Sequence, residues 1–364
     1  YERDIDGYTC RLPAVGVHTV GAGGGSIAWM DAGGSLRVGP QSAGAKPGPA
    51  CYGQGGTAPT VTDANVALGR IGSDAALGGT LEVDASLASE AILRIAVPLG
   101  LSVQEAALGI LRISEATMAG AVRTVSIDAG ANPAEAHLVA FGGAGGLHAS
   151  SVARSLGMAG VLVPPLAGVF SAVGLLLAPP RTDAVSAVHI VGKDLSDALT
   201  AASDLRESTS TAVSSAGSVV DDVALHLDVR YVGQAHEVSV PWTDEADLDG
   251  VIERFEALHR RRYGVVRQGD PVDVMAVRCS AVGVAPLASM VQSRPGTRPL
   301  EPHTRGVVSA NGRKLVATVV GRESLSVGDE LSGPLVVEED LSTTWVDEGE
   351  TLLVADDGSL VITW

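Results

Sequence analysis

His18 and Thr19 stand just before a run of small residues, Gly21-Ala22-Gly23-Gly24-Gly25-Ser26, in the stretch VHTVGAGGGS. An imidazole and a hydroxyl beside bare backbone could hold a proton next to a closely approaching ligand, because glycine has no Cβ and accommodates positive φ. A second bare stretch, Gly142-Gly143-Ala144-Gly145-Gly146, lies between an apolar run and a helical pattern that begins at Leu147-His148. There the unpaired N–H groups meet the positive end of a helix dipole, which suits anions and ribose-phosphate groups. It is not a P-loop, since no Gly-Lys-Ser/Thr follows, and His148 in the sixth position from Gly143 breaks the G-x-G-x-x-G pattern. Read locally, a tight strand-to-helix turn is favoured over nucleotide contact. The opening glycines have no helix behind them, so a phosphate cradle has less support there. A lone strand histidine such as His18 is more often structural than catalytic.

Cys51, in PGPACYG, would be a nucleophile only beside a base, and the sequence places none. No metal site has local support. His137 and His148 are too far apart for a helical pair, and Asp221-Asp222 and Glu338-Glu339-Asp340 read as solvated faces.

The elements that must position these residues follow from periodicity. Val15, Val17 and Thr19 share one face of a predicted strand; Ile27, Trp29, Leu36 and Val38 flank a turn at Asp31-Ala32-Gly33-Gly34. Residues 39–59 have no period and read as one long loop. Asp63 is expected to cap a helix from Ala64 to Leu68. A helix over Ser86–Val97 is expected to stop at Pro98, and Ser102-x-x-Glu105 is a capping box for the next. Ala136–Phe141 reads as a buried strand, Leu147–Leu156 as a helix, and Gly160 opens a second strand, a unit that implies a parallel sheet. Beyond Pro179-Pro180, helices over Asp194–Ser215 and Leu248–Arg262 alternate with strands over Val223–Tyr231, Glu237–Val240 and Val272–Cys279. From about Ser293 the chain reads as short strands and turns.

The chain has 364 residues, 46% of them hydrophobic but only 3% aromatic, which predicts an α/β core of Val, Leu, Ile and Ala in more than one domain. A net charge of −17 with no basic stripe argues against nucleic acid. No apolar run reaches the ~18 residues of a membrane span. Cys10, Cys51 and Cys279 are widely spaced, as in a reduced cytoplasmic compartment, and the first residue, Tyr1, suggests a piece of a longer protein.

Taken in order, VHTVGAGGGSIAW, VGPQSAGAKPGPACYGQGGTAPTVTDANVALGRI, AFGGAGGLHA, LDVRYVGQAHEVSV with RRYG, and GPLVVEED resemble the hydantoinase A/5-oxoprolinase family from residue 1 to the C-terminus. The resemblance implies part of an actin-like (ribonuclease-H-like) ATPase domain over 1–184, an α+β domain over 185–290 and a small β-rich domain over 291–364. It implies ATP, with Mg2+, activating a cyclic amide for ring opening, or a ketone and bicarbonate in the acetone carboxylase β-subunit branch. The partner would be a hydantoinase B type subunit or fused domain. It makes Gly142, Gly143, Ala144, Gly145 and Gly146 nucleotide contacts, Gly23, Gly24, Gly25 and Ser26 a substrate or phosphate loop facing an interdomain cleft, and His18 and Thr19 its polar, catalytic handles. The family's acidic Gly-Gly-Thr phosphate loops are expected upstream of Tyr1. Without them the chain could also be a non-catalytic module that closes on nucleotide and docks a subunit.

Overall fold

A computed structural model describes residues 3–5, 8–10, 17–73, 78, 80–128, 130–191, 194–243, 247–285 and 301–364. In chain order the elements begin with β1 (Arg3–Ile5), β2 (Tyr8–Cys10), β3 (Ser26–Met30), β4 (Leu36–Ser42), α1 (Val61–Ala67), α2 (Ala85–Leu99) and α3 (Val103–Asp128). There follow β5 (His137–Val139), α4 (Gly145–Ser155), β6 (Gly160–Val163), α5 (Phe170–Leu177), β7 (Arg181–Val191), α6 (Ser196–Ser215), β8 (Val220–Tyr231), β9 (Val238–Trp242), α7 (Leu248–Tyr263) and β10 (Val272–Gly283). The rest is strand: β11 (His303–Val308), β12 (Lys314–Gly321), β13 (Glu330–Ser332), β14 (Leu335–Glu339), β15 (Ser342–Val346), β16 (Thr351–Val354) and β17 (Leu360–Thr363).

The chain divides into two compact units, Tyr1–Ala14 with Gly174–Val291, and Val15–Val173 with Gln292–Trp364. In the first, an antiparallel sheet of order β7-β10-β8-β9 packs against α6 and α7. Their buried faces follow helical spacing, Ala198, Ala202, Leu205, Thr209 and Val213 on α6 and Leu248, Val251, Phe255 and His259 on α7. On β8 the core residues Leu225, Leu227, Val229 and Tyr231 alternate. On β10 the register shifts between Val274 and Ala276, so the inward set passes from Val272 and Val274 to Val277 and Cys279. A bulge is the only way to change face without breaking the strand.

The second unit holds the glycine stretches. Its larger sheet, order β13-β16-β17-β6-β5, contains the expected parallel pair, β5 beside β6 with α4 between them in sequence. β17 pairs antiparallel on the other edge of β6, with Leu360 opposite Val163. Three of the strands beyond 291, β13, β16 and β17, therefore belong to this sheet. β6 is buried along most of its length and needs a hydrogen-bonded neighbour on each edge. A second sheet, order β11-β12-β14-β15, packs on α4, and α1, α2 and α3 pack together.

Several local expectations change. Val17–Val20 is exposed and carries no strand, and Val15 lies outside the described residues. The strand over Ala136–Phe141 shrinks to β5, a sheet edge with His137 and Val139 exposed, so its apolar side chains are not buried as the run suggested. α2 runs through Pro98 to Leu99 and ends at Gly100 with φ 66°, because a proline in the last turn still leaves the helix its earlier hydrogen bonds. Glu338 and Glu339 are not a solvated face: they pair with Arg305 (2.8 Å) and Arg322 (2.7 Å). The capping box of α3 is as expected, with Ser102 N donating to Glu105 Oε2 at 2.8 Å and Glu105 N to Ser102 Oγ at 3.2 Å.

Asp63 is not the cap of α1. Thr60 is, and Asp63, three residues into the box, is fully buried. Its Oδ2 accepts from Thr60 N (2.9 Å), Thr60 Oγ1 (2.7 Å) and Ala50 N (3.3 Å), and its Oδ1 from Cys51 N (2.8 Å). One carboxylate thus fastens the long Gly/Pro loop to α1. Asp63→Ala would strand those buried donors, at about 1–3 kcal/mol for each one left unpaired, so we expect urea denaturation to report a loss of at least about 3 kcal/mol, with Asp63→Asn intermediate.

Candidate functional site

The glycines of the opening stretch are used by the protein itself. Ser26 Oγ accepts from Gly23 N at 2.9 Å and donates to Gly21 O at 3.3 Å, closing the loop on itself. Gly24 O accepts from both Thr62 N (2.8 Å) and Thr62 Oγ1 (2.9 Å) at the start of α1. A Cβ on Gly24 would lie 2.8 Å from Thr62 Oγ1, and one on Gly25 2.8 Å from Ser42 Oγ; one on Gly21 would meet Pro40 at 2.9 Å. Only Gly23 of the four faces open space, and none of them has positive φ. Close packing is the reason for the bare backbone. His18 and Thr19 are exposed and hydrogen-bond to no other described residue.

The second stretch is a turn between β5 and α4, as its spacing implied, with the helix starting at Gly145 rather than Leu147. Gly142 takes φ 86° and its N–H donates to Ala167 O at 2.7 Å, while Gly143 O accepts from Thr343 N at 3.1 Å. Ala144, at the N-cap, offers no side chain to the first turn, and the N–H groups of Gly143 and Ala144 have no acceptor among the described residues. Gly146 is a packing residue: a Cβ there would lie 2.6 Å from Thr344 Oγ1 and 2.9 Å from Thr343 O, where α4 crosses β15. At Gly145 the same atom would be 3.7 Å from Ala140 C, an ordinary contact. Beside the turn lies a cleft of about 430 Å3 lined by Leu166, Gly168, Arg322, Asp340, Leu341 and Asp357. Leu341 O joins the two, since a Cβ on Gly143 would stand 3.2 Å from it. Leu166 sits in left-handed backbone at φ 58°, the one described non-glycine residue to do so. That conformation costs about 1–2 kcal/mol, and the next residue, Ala167, supplies the carbonyl that holds Gly142.

Cys51 is fully buried in a short 3-10 turn, and the carboxylate beside it, Asp63, is already held by the hydrogen bonds of Ala50, Cys51 and Thr60. Burial, reinforced by the Asp63 carboxylate, pushes its thiol far above the ordinary range, which removes it as a nucleophile. Sequence reasoning missed a buried polar group on α4. His148 Nδ1 lies 3.1 Å from Glu115 Oε1, and Ser151 Oγ donates to Glu115 Oε2 at 2.6 Å, so α3 and α4 are joined by one carboxylate. The signal was His148 itself, a polar residue on what is otherwise the small apolar face of a helix. Among the described residues no group of three His, Cys, Asp or Glu is arranged to hold a metal ion.

A family model described as hydantoinase/oxoprolinase matches residues 1–184. The chain belongs to the hydantoinase/oxoprolinase family. Among its relatives, the caprolactamase subunit alpha of Pseudomonas jessenii is 34% identical over 370 residues, covering 96% of this chain and 52% of that protein. The crystal structure of the ATP-dependent caprolactamase from Pseudomonas jessenii superposes with a TM-score of 0.78 at 32% identity, over 98% of this chain and 54% of that one. A nucleotide-free acetone carboxylase structure gives a TM-score of 0.77 at 25% identity, over 99% and 54%. The chain thus spans about half the length of these relatives, and its mixed α/β architecture is theirs.

Two stability measurements check this reading of the glycines and of Cys51. Gly146→Ala should lose about 1–3 kcal/mol by overpacking against β15, whereas Gly145→Ala should keep or slightly raise the melting temperature, as alanine does in a helical position. For Cys51 the folded pKa lies above the unfolded one. The contribution of the protonated thiol is therefore complete below its ordinary value of 9.0 and is lost as pH rises from there toward the folded value. Cys51→Ala should flatten the alkaline fall in stability by about 1.4 kcal/mol per pH unit above that point, measured by melts across the alkaline range.

Proposed function

We propose that this chain forms part of the ATP-using subunit of a cyclic-amide hydrolase of the hydantoinase/5-oxoprolinase type, acting in the cytoplasm with a hydantoinase B type partner subunit or fused domain. The observation that carries the reading is the turn at Gly142–Gly146. Its helix start has no side-chain cap, the N–H groups of Gly143 and Ala144 have no acceptor among the described residues, and Gly143 lies against Leu341, which lines a cleft large enough for a nucleoside. The actin-like ATPase assignment of this unit rests on the family resemblance, and ATP use on relatives such as the ATP-dependent caprolactamase.

In this reading Gly143 and Ala144 donate to nucleotide oxygens, and Leu166 and Leu341 wall the cleft. Mg2+ bound with the nucleotide would supply charge neutralisation at its phosphates. Amide resonance makes a ring carbonyl a poor electrophile; phosphoryl transfer from ATP to its oxygen, with release of ADP and the amide N–H proton, activates the carbon, water adds there, the C–N bond breaks as the nitrogen takes back protons, and a second water hydrolyses the resulting acyl phosphate to carboxylate and phosphate. Gly23, with open space around it, and the exposed His18 and Thr19 are the residues of the opening stretch that could still face a ligand. Gly21, Gly24, Gly25 and Ser26 keep structural roles.

The test is ATP hydrolysis by the complete protein with its partner, given hydantoin, 5-oxoproline or caprolactam, or acetone plus bicarbonate. Stimulation by a cyclic amide supports the proposal, and stimulation only by the ketone with bicarbonate moves it to the carboxylase branch. This chain alone should give no substrate-stimulated turnover, because the acidic Gly-Gly-Thr loops are expected outside it. Calorimetric titration of the complete protein with a nonhydrolysable ATP analogue should find Gly145→Ala binding about tenfold or more weakly, since a Cβ blocks close approach, with its melting temperature unchanged. Wild-type affinity in that variant would remove the turn from the nucleotide site.

A further inference from the structure

The second unit contains another cavity, of about 500 Å3, bounded by Arg70 after α1, by α3 and α4, and by the β11–β12 and β15–β16 turns. Three arginines and four carboxylates line it, and Arg313, outside the lining, pairs with one of those carboxylates, Glu348. Every carboxylate is already committed. Glu115 holds His148 and Ser151. Glu350 accepts from Arg154 at 3.3 Å and from Asp347 N at 3.0 Å. Asp347 accepts from Ala310 N at 2.9 Å and Glu348 N at 2.7 Å, and Glu348 takes Arg313 through both oxygens at 2.8 and 2.7 Å. Arg112 donates to Ala310 O at 2.8 Å.

Arg70 is the exception. It is 3% exposed, its guanidinium lies over the Trp345 ring at 5.3 Å from the centroid, and it hydrogen-bonds to no other described residue, its Nε being buried without a partner. Ser150, 5% exposed and on the cavity wall, likewise has an Oγ with no partner. A buried guanidinium and hydroxyl without acceptors are costly, and burial works against Arg70's charge while Glu115, Asp347 and Glu350 uphold it. What the cavity lacks is an acceptor.

We propose that this cavity is a binding site for a small monovalent oxyanion of the carboxylate class. A planar carboxylate matches the in-plane N–H fork of Arg70, whose face is covered by Trp345, and Ser150 Oγ adds a donor. With Glu348 neutralised by Arg313 from outside the lining, the three lining arginines balance the other three carboxylates, so one added negative charge is tolerated, whereas a dianion such as phosphate meets the flanking carboxylates at short range.

The probe is 13C-labelled acetate, titrated by NMR into the full chain at constant ionic strength, with inorganic phosphate as competitor. We expect saturable one-to-one binding that phosphate displaces poorly. Ser150→Ala, which removes a small unpaired group and should melt as the wild type does, is expected to weaken binding about tenfold. Arg70→Lys, which keeps the charge but not the fork, should weaken it further. If Arg70→Lys does not fold, Ser150→Ala decides. The proposal is overturned if folded wild type gives no saturable signal, so that ordered water alone fills the cavity. It is equally overturned if acetate affinity is unchanged in Ser150→Ala, or if phosphate binds more tightly than acetate.

Discussion

A carboxylate sealed from water must find its hydrogen bonds in the protein, and in this chain Asp63 finds them in two places at once. It binds the amides of Ala50 and Cys51 in the Gly/Pro loop and the backbone and hydroxyl of Thr60, the cap of its own helix. Cys51 O in turn accepts from Asp84 N, the cap of α2. One residue before Asp63, Thr62 fixes Gly24 of the opening stretch. A segment with almost no apolar periodicity is thereby given a single conformation, and the loops around it inherit their positions from one buried negative charge. The same charge helps to keep the Cys51 thiol protonated, so the feature that orders the loop also makes its cysteine inert.

The two glycine stretches look alike as letters and differ in what surrounds them. In the first, Gly21, Gly24 and Gly25 are small because Pro40, Thr62 and Ser42 stand against them. In the second, Gly146 is small for the same reason, against Thr343 and Thr344, but Gly143 and Ala144 stand at a helix start with amides that have no acceptor among the described residues, and Gly145 has only an ordinary contact beside it. The distinction between a glycine that admits a neighbour and one that admits a ligand lies in the partner atoms, which are remote in sequence.

That also explains what could be read in advance. The Ser102–Glu105 box, the Asp31–Gly34 turn and the β5–α4–β6 unit depend on residues a few positions apart, and each was legible. The pairing of β17 with β6, the contact of Gly146 with Thr344 and the meeting of Glu115 with His148, 33 residues along the chain, depend on tertiary closure and leave no local periodicity. Asp63 was singled out as a cap because it is acidic and precedes an apolar helix; that it reaches back to Ala50 and Cys51 instead is a consequence of burial. Likewise the Glu338-Glu339 pair reads as solvated until Arg305 and Arg322 are brought to it.

The central claim is that the turn between β5 and α4 touches the nucleotide. Hydrogen–deuterium exchange of the complete protein, with and without saturating nonhydrolysable ATP analogue, tests it most directly. The account expects added protection in peptides covering Phe141–Leu147, together with those covering Pro165–Val169 and Leu341–Thr344 that wall the adjoining cleft. Exchange in these peptides that is indifferent to bound nucleotide, while other segments become protected, would contradict it.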